Sequence, residues 1–139
     1  MPEFSLTRRI QFAETDLAGI LHFSNFFRLM EEVEHAFYRS LGLSVVMHHE
    51  GHEIGWPRVS ATCEYLGPVK FEDELLLTLR IARLGDKSLS YEVDFTLAGR
   101  RVATGKVTSV CCIMDPTGAM RAIPIPPPLR AKLEGTATQ

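Results

Sequence analysis

The chain has 139 residues, of which 45% are hydrophobic and 23% are charged, and its formal net charge at pH 7 is -2. A chain of this length is expected to form one domain, residues 1–139, that buries roughly two-thirds of the surface exposed by the unfolded chain. The slight acidic excess creates no field that would attract nucleic acid, so nucleic-acid binding is not expected.

Three features bear on the cellular compartment. No apolar run approaches the roughly 20 residues that a membrane-spanning helix needs, so membrane insertion is not expected. Residues 1–4 include an acidic residue where a secretory signal would carry positive charge, and no long apolar core follows. The three cysteines, Cys63, Cys111 and Cys112, cannot all pair within one chain, which favours reduced structural thiols. A cytoplasmic protein is therefore expected.

The first predicted elements are a strand and a long helix. Residues 4–12 alternate between apolar and polar side chains, as a half-buried strand does. After a loop over residues 13–19, apolar side chains recur at helical spacing, at Phe26, Met30, Val33, Phe37 and Leu41. Ser24 and Asn25 are available as caps, and Gly42 should end the helix. The apolar stripe predicts that this helix packs on a sheet.

From about Arg58 the apolar period changes to two, which predicts strands over residues 59–66, 75–82, 89–97 and 102–114. The connections at residues 84–87 and 98–100 suit hairpins and are too short for crossover helices, so the sheet should be mostly antiparallel. Residues 115–118 are typical of a turn, and residues 123–128 contain too many prolines for a central strand. One strand, one long helix and about four more strands predict an α+β fold.

Residues 14–26, ETDLAGILHFSNF, resemble the signature of the 4-hydroxybenzoyl-CoA thioesterase family. Weaker similarity continues through residues 56–59, 67–69, 73–74 and 87–88, and so covers nearly the whole chain. The resemblance implies the hotdog fold, in which an antiparallel sheet of about five strands wraps around one long helix. It also implies hydrolysis of acyl-coenzyme A without a cofactor, in a homodimer or homotetramer whose active sites are each shared between two chains.

The same resemblance assigns the catalytic carboxylate to Asp16 and the carbonyl-polarising group to the backbone N–H of Phe23 or its neighbours. The chemistry suits these groups, because a helix N-terminus presents oriented N–H groups and a positive dipole end to the developing oxyanion. Asp16 would act as general base on water or attack directly to give an anhydride, and the sequence does not choose between these. Without the flanking match, Asp16 would be interpreted as an ordinary turn aspartate before Gly19.

Three further residues of this segment are candidates for the site. Gly19 supplies a positive φ, close approach of a ligand, or both. Asn25 is favoured as a helix cap by its residue type, whereas the resemblance suggests a ligand contact. His22 is expected to line the pocket. In the Tol-Pal-associated branch of the family the catalytic histidine lies one position later, where this chain has Phe23, so His22 is not expected to be a catalyst.

Other substrate contacts are expected farther along the chain. Trp56 and Pro57, together with Phe23, would line the acyl tunnel, with plain core or interface as the alternative. Coenzyme A carries several phosphate charges, so Arg83, Lys87 and Ser88 are expected near the nucleotide, although each also fits an ordinary charged hairpin. Aromatic and aliphatic acyl groups remain equally open.

Two clusters are expected to lie outside the site. Glu31 and Glu34 should form the solvent-facing edge of the long helix, with an approach of Glu31 to the pocket as the alternative. His48, His49 and His52 should lie in a solvated loop, and no metal site is expected because no further ligands complete the set.

Two other functions compete with hydrolysis. One is a hotdog hydratase acting on acyl-CoA or acyl-carrier protein. The Asp-x-x-x-x-His motif of that class is missing, since Leu21 stands five residues after Asp16. The other is a non-catalytic acyl-CoA binding module, against which the presence of Asp16 argues.

Overall fold

The computed structural model describes residues 3–135, so Met1, Pro2 and residues 136–139 lie outside the described part. The interpretation of the N-terminus given above rests partly on those first two residues. The strands are β1 (Glu3–Arg9), β2 (Met47–His49), β3 (His52–Gly55), β4 (Arg58–Tyr65), β5 (Glu74–Leu84), β6 (Ser88–Leu97), β7 (Arg100–Val110), β8 (Cys112–Met114) and β9 (Met120–Ala122). The α-helices are α1 (Asn25–Ser40) and α2 (Pro127–Glu134). In the described part, neither helix has the length and apolar character to cross a membrane.

The main sheet has five strands in the order β1-β5-β6-β7-β4, and every neighbouring pair is antiparallel. The predicted mixture of helix and antiparallel sheet is therefore confirmed. The register defines two ends of this sheet. Glu74 and Tyr65 lie at the end where the chain leaves β1 toward Asp16, which we call the Asp16 end. Arg58 and Ser88 lie at the opposite end, which we call the Arg58 end.

Helix α1 buries its apolar stripe against the main sheet. The ring of Phe26 lies 5.2 Å from that of Phe95 on β6 in an edge-on contact, and the ring of Phe37 lies 6.1 Å from that of Phe4 on β1. Each fully buried phenylalanine contributes about 1.5–3 kcal/mol through removal of apolar surface from water. The helix ends at Ser40, and Gly42 adopts a left-handed φ of 76°, which confirms the predicted stop.

A second antiparallel sheet has the order β2-β3-β8-β9. The histidine-rich segment belongs to its first hairpin, in which His48 faces Glu53 and His49 faces His52, so the predicted loop is wrong, whereas His48 and His52 are exposed as predicted. Two consecutive residues, Glu50 and Gly51, have positive φ and form the tight turn. The flanking Met47 and Ile54 are buried, and this tertiary contact stabilises strands too short to show a period.

The predicted strand over residues 102–114 is also wrong as a single element. It divides at Cys111, whose N–H donates to the Lys87 carbonyl at 2.7 Å, and β8 continues into the second sheet. The proline-rich segment leads into α2, because proline is compatible with the first turn of a helix. Leu129 and Leu133 of α2 are buried.

Candidate active site

Asp16 begins a tight turn that fixes its own carboxylate. Its carbonyl accepts a hydrogen bond from Gly19 N–H at 2.9 Å, and its Oδ1 accepts from Ala18 N–H at 2.9 Å and Ile20 N–H at 3.3 Å. Within residues 3–135, Asp16 Oδ2 has no hydrogen-bond partner. Gly19 has a φ of 80°, and a Cβ there would meet no atom within 4 Å, so the backbone conformation rather than crowding by protein favours glycine.

The half-buried Asp16 lines a cavity of about 300 Å³ at the Asp16 end of the sheet. The other lining residues are Ile20, Leu21, Phe23, Phe26, Tyr65, Gly67, Pro68 and Val69. Among the described residues that form this wall, Asp16 carries the one carboxylate, and aromatic and aliphatic groups make up most of the rest. The cavity therefore suits an apolar group that ends beside a carboxylate.

The chain just before α1 orients the backbone N–H of Phe23. His22 N–H donates to the Glu14 carbonyl at 2.9 Å, and the His22 carbonyl accepts from Asn25 N–H at 2.9 Å. A trans peptide points its N–H opposite to its C=O, so the Phe23 N–H faces away from the Asn25 contact. No acceptor for this N–H occurs in the described part of the chain. Tyr65 Oη donates to the Phe23 carbonyl at 3.0 Å and holds the next peptide.

His22 and Asn25 have local partners. The His22 Nδ1 accepts from Ser24 N–H at 3.3 Å and lies 2.8 Å from Ser24 Oγ, and its ring stacks on Phe23 with centroids 4.6 Å apart. His22 and Asn25 are not among the described residues that line the Asp16 cavity. Asn25 is the first helical residue, and its Nδ2 donates to the Glu14 carbonyl at 2.8 Å. The prediction of Asn25 as a cap is therefore wrong: the N-cap position belongs to Ser24, the other predicted cap, and Asn25 lies inside the helix with its amide bound to the preceding loop.

The remaining candidates lie at the Arg58 end. Pro57 and Lys87 bind consecutive residues at the end of β7. Val110 N–H donates to the Pro57 carbonyl at 3.2 Å, and Cys111 N–H donates to the Lys87 carbonyl. Arg83 and Ser88 flank the adjoining hairpin. Strand β5 has 11 residues, which at about 3.3 Å per residue separates this end from the Asp16 end by roughly 35 Å. One chain alone does not bring the two sets together.

Trp56 belongs to a different cavity, of about 370 Å³, at the Arg58 end. Its side chain is 9% exposed, and its indole N–H is buried without an acceptor in the described residues. Glu31, Glu34 and Arg58 line the same cavity. The placement fits core packing as well as ligand contact, the two alternatives that the sequence left open.

Glu34 contradicts the prediction that it faces solvent, since it is 1% exposed. Arg58 explains this burial, because its guanidinium donates to both Glu34 carboxylate oxygens and to Ser109 Oγ at 3.0 Å. Burial is the largest single influence and favours a lower pKa for Arg58, but the hydrogen bond and charge of Glu34, together with Tyr91 and Glu31, outweigh it and raise the pKa. Burial, followed by the Glu34 charge, also raises the pKa of Tyr38. By contrast, the Glu31 side chain is 57% exposed, as predicted.

Sequence reasoning missed the Glu34–Arg58 pair because its members are 24 residues apart and lie on a helix and a strand. It also missed Tyr65 and Glu14 as neighbours of the predicted site. Tyr65 lies on a strand whose period indicated only alternating faces. The contacts of both residues depend on how the loop folds back against α1 and β4.

Comparison with known proteins identifies the family. The profile of the thioesterase-like superfamily matches residues 10–133. A 1,4-dihydroxy-2-naphthoyl-CoA hydrolase of Synechococcus sp. strain WH7803 is 31% identical over 126 residues, which cover 86% of this chain and 82% of the relative. The match extends across both the Asp16 end and the Arg58 end.

Two solved structures have the same fold. A gentisyl-coenzyme A thioesterase has a TM-score of 0.80 and 32% identity, with coverage of 94% of this chain and 99% of the other. A protein of Aquifex aeolicus has a TM-score of 0.85 and 26% identity, with coverage of 94% and 98%. The chain therefore belongs to the thioesterase-like superfamily, as a thioester hydrolase of the hotdog acyl-CoA thioesterase family.

Proposed function

We propose that this chain hydrolyses acyl-coenzyme A, with Asp16 as the catalytic carboxylate and the Phe23 N–H as the donor to the carbonyl oxygen. The observation that carries the proposal is the cavity lined by both residues, in which Asp16 has a carboxylate oxygen without a partner among the described residues. In the hotdog arrangement we propose, the main sheet wraps around α1, so the start of the helix faces this cavity.

The proposed reaction needs only water and protein groups, and no cofactor. Asp16 either takes a proton from water as the water attacks the thioester carbon or attacks that carbon itself. The carbonyl oxygen gains negative charge, which the Phe23 N–H stabilises. Collapse expels coenzyme A as a thiolate. In the general-base route the free acid forms directly and Asp16 returns its proton to the thiolate or to solvent, whereas in the direct route water hydrolyses the anhydride to the free acid and regenerates Asp16. The aromatic wall of Phe23, Phe26 and Tyr65 offers apolar contact to the acyl group.

A hydroxylated aromatic acyl group is the substrate class that we propose to test first. The names of two relatives support this choice, since one is a gentisyl-coenzyme A thioesterase and the other a 1,4-dihydroxy-2-naphthoyl-CoA hydrolase. The cavity of about 300 Å³ lies at the lower end of the size range of small-molecule sites.

A homodimer is the assembly that would complete the site. Strand β4 is an edge of the main sheet, and seven of its eight residues are exposed, including Val59 at 62% and Tyr65 at 45%. Antiparallel pairing of two β4 edges would set the Arg58 end of one chain beside the Asp16 end of the other. Lys87, Arg83 and Ser88 would then reach the nucleotide of a substrate bound at the other chain's Asp16. Further pairing gives the tetramer, and we place the protein in the cytoplasm.

Thiol release from aromatic and aliphatic acyl-CoA substrates tests the proposal. Asp16→Asn should lower kcat by about 10²–10⁴-fold, the usual contribution of a general base. The matched control is Asp115→Asn. Asp115 Oδ1 likewise accepts the N–H two residues on, from Thr117 at 2.8 Å, but Asp115 does not line the Asp16 cavity.

The outcomes separate the candidate functions. Turnover that persists in Asp16→Asn contradicts the role of Asp16. Tight binding without thiol release from any substrate supports the non-catalytic binding module, and hydration of crotonyl-CoA supports the hydratase. Single-turnover hydrolysis in ¹⁸O water, followed by mass analysis, distinguishes the two roles of the carboxylate, because only the anhydride route transfers label to Asp16.

A further inference from the structure

Glu14 is anchored at both its side chain and its main chain. Its carboxylate accepts hydrogen bonds from Arg8 at 2.8 and 2.6 Å, and from Gln11 N–H at 2.7 Å. Its carbonyl accepts two more, from His22 N–H at 2.9 Å and from Asn25 Nδ2 at 2.8 Å. Glu14 therefore joins the end of β1 to the first residues of α1.

Arg8 provides the fixed point for this residue. Its guanidinium donates to Glu14 through Nη1 and Nη2. It also donates to Glu32 of α1, through Nε at 3.0 Å and Nη2 at 3.1 Å. The Arg8 and Glu14 side chains are only 18% and 16% exposed. The Arg8 hydrogen bond lowers the pKa of Glu14, and the Glu14 hydrogen bond is the main cause of a raised pKa for Arg8. The pair is thus a bidentate ion pair in a largely shielded position.

The location of Glu14 connects the two groups of the proposed reaction. Asp16 follows it by two residues, and Phe23 follows its hydrogen-bonded partner His22 directly. A β-bridge between Thr15 and Leu21 joins the same two segments. A displacement of Glu14 would therefore change the position of the Asp16 carboxylate relative to the Phe23 N–H. Displacements of about 1 Å at such groups can reduce rates about 10²-fold.

We propose that Glu14, held by Arg8, is a positioning residue that sets the distance between the Asp16 carboxylate and the Phe23 N–H. The inference rests on the function proposed above. Glu14 does not line the Asp16 cavity within the described residues, so it acts through the loop rather than by touching the substrate. Asn25 belongs to the same arrangement, because its amide shares the Glu14 carbonyl with His22.

Glu32 supplies a matched control. It accepts the same type of two-nitrogen contact from Arg8, but it lies on α1 and does not contact the Asp16 loop through any described hydrogen bond. Glu14→Gln and Glu32→Gln each remove one charge from Arg8 at nearly constant shape. The Glu32 side chain is more exposed than that of Glu14, 44% against 16%. A purely structural role of either residue would therefore change the free energy of unfolding, whereas a positioning role would lower kcat in Glu14→Gln alone.

Steady-state kinetics of the full chain with the best acyl-CoA from the panel should show this separation. Glu14→Gln should lower kcat about 10-fold or more with KM changed by less than about 3-fold, the pattern of an interaction realised in the transition state. Glu32→Gln should leave both constants within about 2-fold of the parent. Arg8→Lys, which keeps the charge but not the two-nitrogen grip, should recover part of the kcat lost in Arg8→Met.

Amide hydrogen exchange gives a second readout that does not depend on turnover. The His22 N–H should exchange faster in Glu14→Gln than in Glu32→Gln, since only the first substitution loosens its acceptor. Equal kcat losses in the two variants, or a change in KM alone, would overturn the positioning role, even if Asp16→Asn still lowered kcat by about 10²–10⁴-fold. Full turnover in Asp16→Asn would instead overturn the catalytic role of Asp16, and no thiol release by the parent chain would overturn the proposed hydrolysis.

Discussion

The two ends of the main sheet place a carboxylate in opposite situations. At the Arg58 end, Glu34 is 1% exposed and both of its oxygens are bound by Arg58. At the Asp16 end, Asp16 is half-buried, and within residues 3–135 its Oδ2 has no partner. A buried ion pair whose hydrogen bonds are all made is costly to disrupt, and its carboxylate oxygens are not available to react with a substrate. The partly satisfied carboxylate beside an open cavity is the one that remains available for reaction.

The largest effect on stability is expected from Glu34→Gln. Loss of this charge leaves Arg58 partly buried without its main partner, so the free energy of unfolding should fall by about 3 kcal/mol. Urea denaturation measures this change. Glu31→Gln is the control, because Glu31 is 57% exposed and its contact with Arg58 should contribute less than about 1 kcal/mol. If Glu34→Gln and Glu31→Gln lost equal free energy of unfolding, the buried Glu34–Arg58 pair would not be the special feature of the Arg58 end.

A smaller and pH-dependent effect is expected at Glu14, which lies on the Asp16 side but is paired. Arg8 lowers the Glu14 pKa below its ordinary value of 4.5, so the ion pair adds stability above that pH and loses it as the pH falls through the lowered folded-state pKa. At pH 7 the free energy of unfolding of the parent should exceed that of Glu14→Gln by about 1–2 kcal/mol. Urea denaturation should show that difference shrinking below about pH 4.5. A gap that widens in acid would contradict the assigned sign.

The smallest effect is expected from Lys87→Gln at the Arg58 end. If Lys87 of one chain lies near the nucleotide bound by the other, the KM for acyl-CoA should rise about 3-fold at low salt and less at high salt, with kcat unchanged. The same acyl group on N-acetylcysteamine, which lacks phosphates, should show no change. The control is Arg121→Gln on β9, also an exposed cation. An equal rise in both variants would indicate only a general charge effect.

Local pattern predicted most of the main sheet because its strands are long. Strands β5, β6 and β7 have 10 or 11 residues, enough for a period of two to appear clearly. The hairpin of β2 and β3 has strands of three and four residues, and its stability depends on burial of Met47 and Ile54 by distant segments. The break at Cys111 also depends on a distant group, the Lys87 carbonyl.

The candidate site could be predicted only through the resemblance of residues 14–26 to a known signature. An isolated Asp-x-x-Gly indicates a turn, and the structure does contain that turn. What makes the turn a candidate site is its position beside β4 and the start of α1, a relation between segments far apart in sequence. The same is true of the contact between Arg8 and Glu32, which are 24 residues apart.

The exposed edge of β4 has a consequence for how substitutions there would fail. An unpaired strand edge offers free N–H and C=O groups to any extended chain, and apolar side chains such as those of Val59 and Tyr65 strengthen such pairing. If two β4 edges paired with each other, the association would stop at two chains, because no free edge of β4 would remain. A substitution that weakens the pairing of two β4 edges would then expose an edge that pairs with other chains. Its first visible result would be precipitation rather than an active monomer.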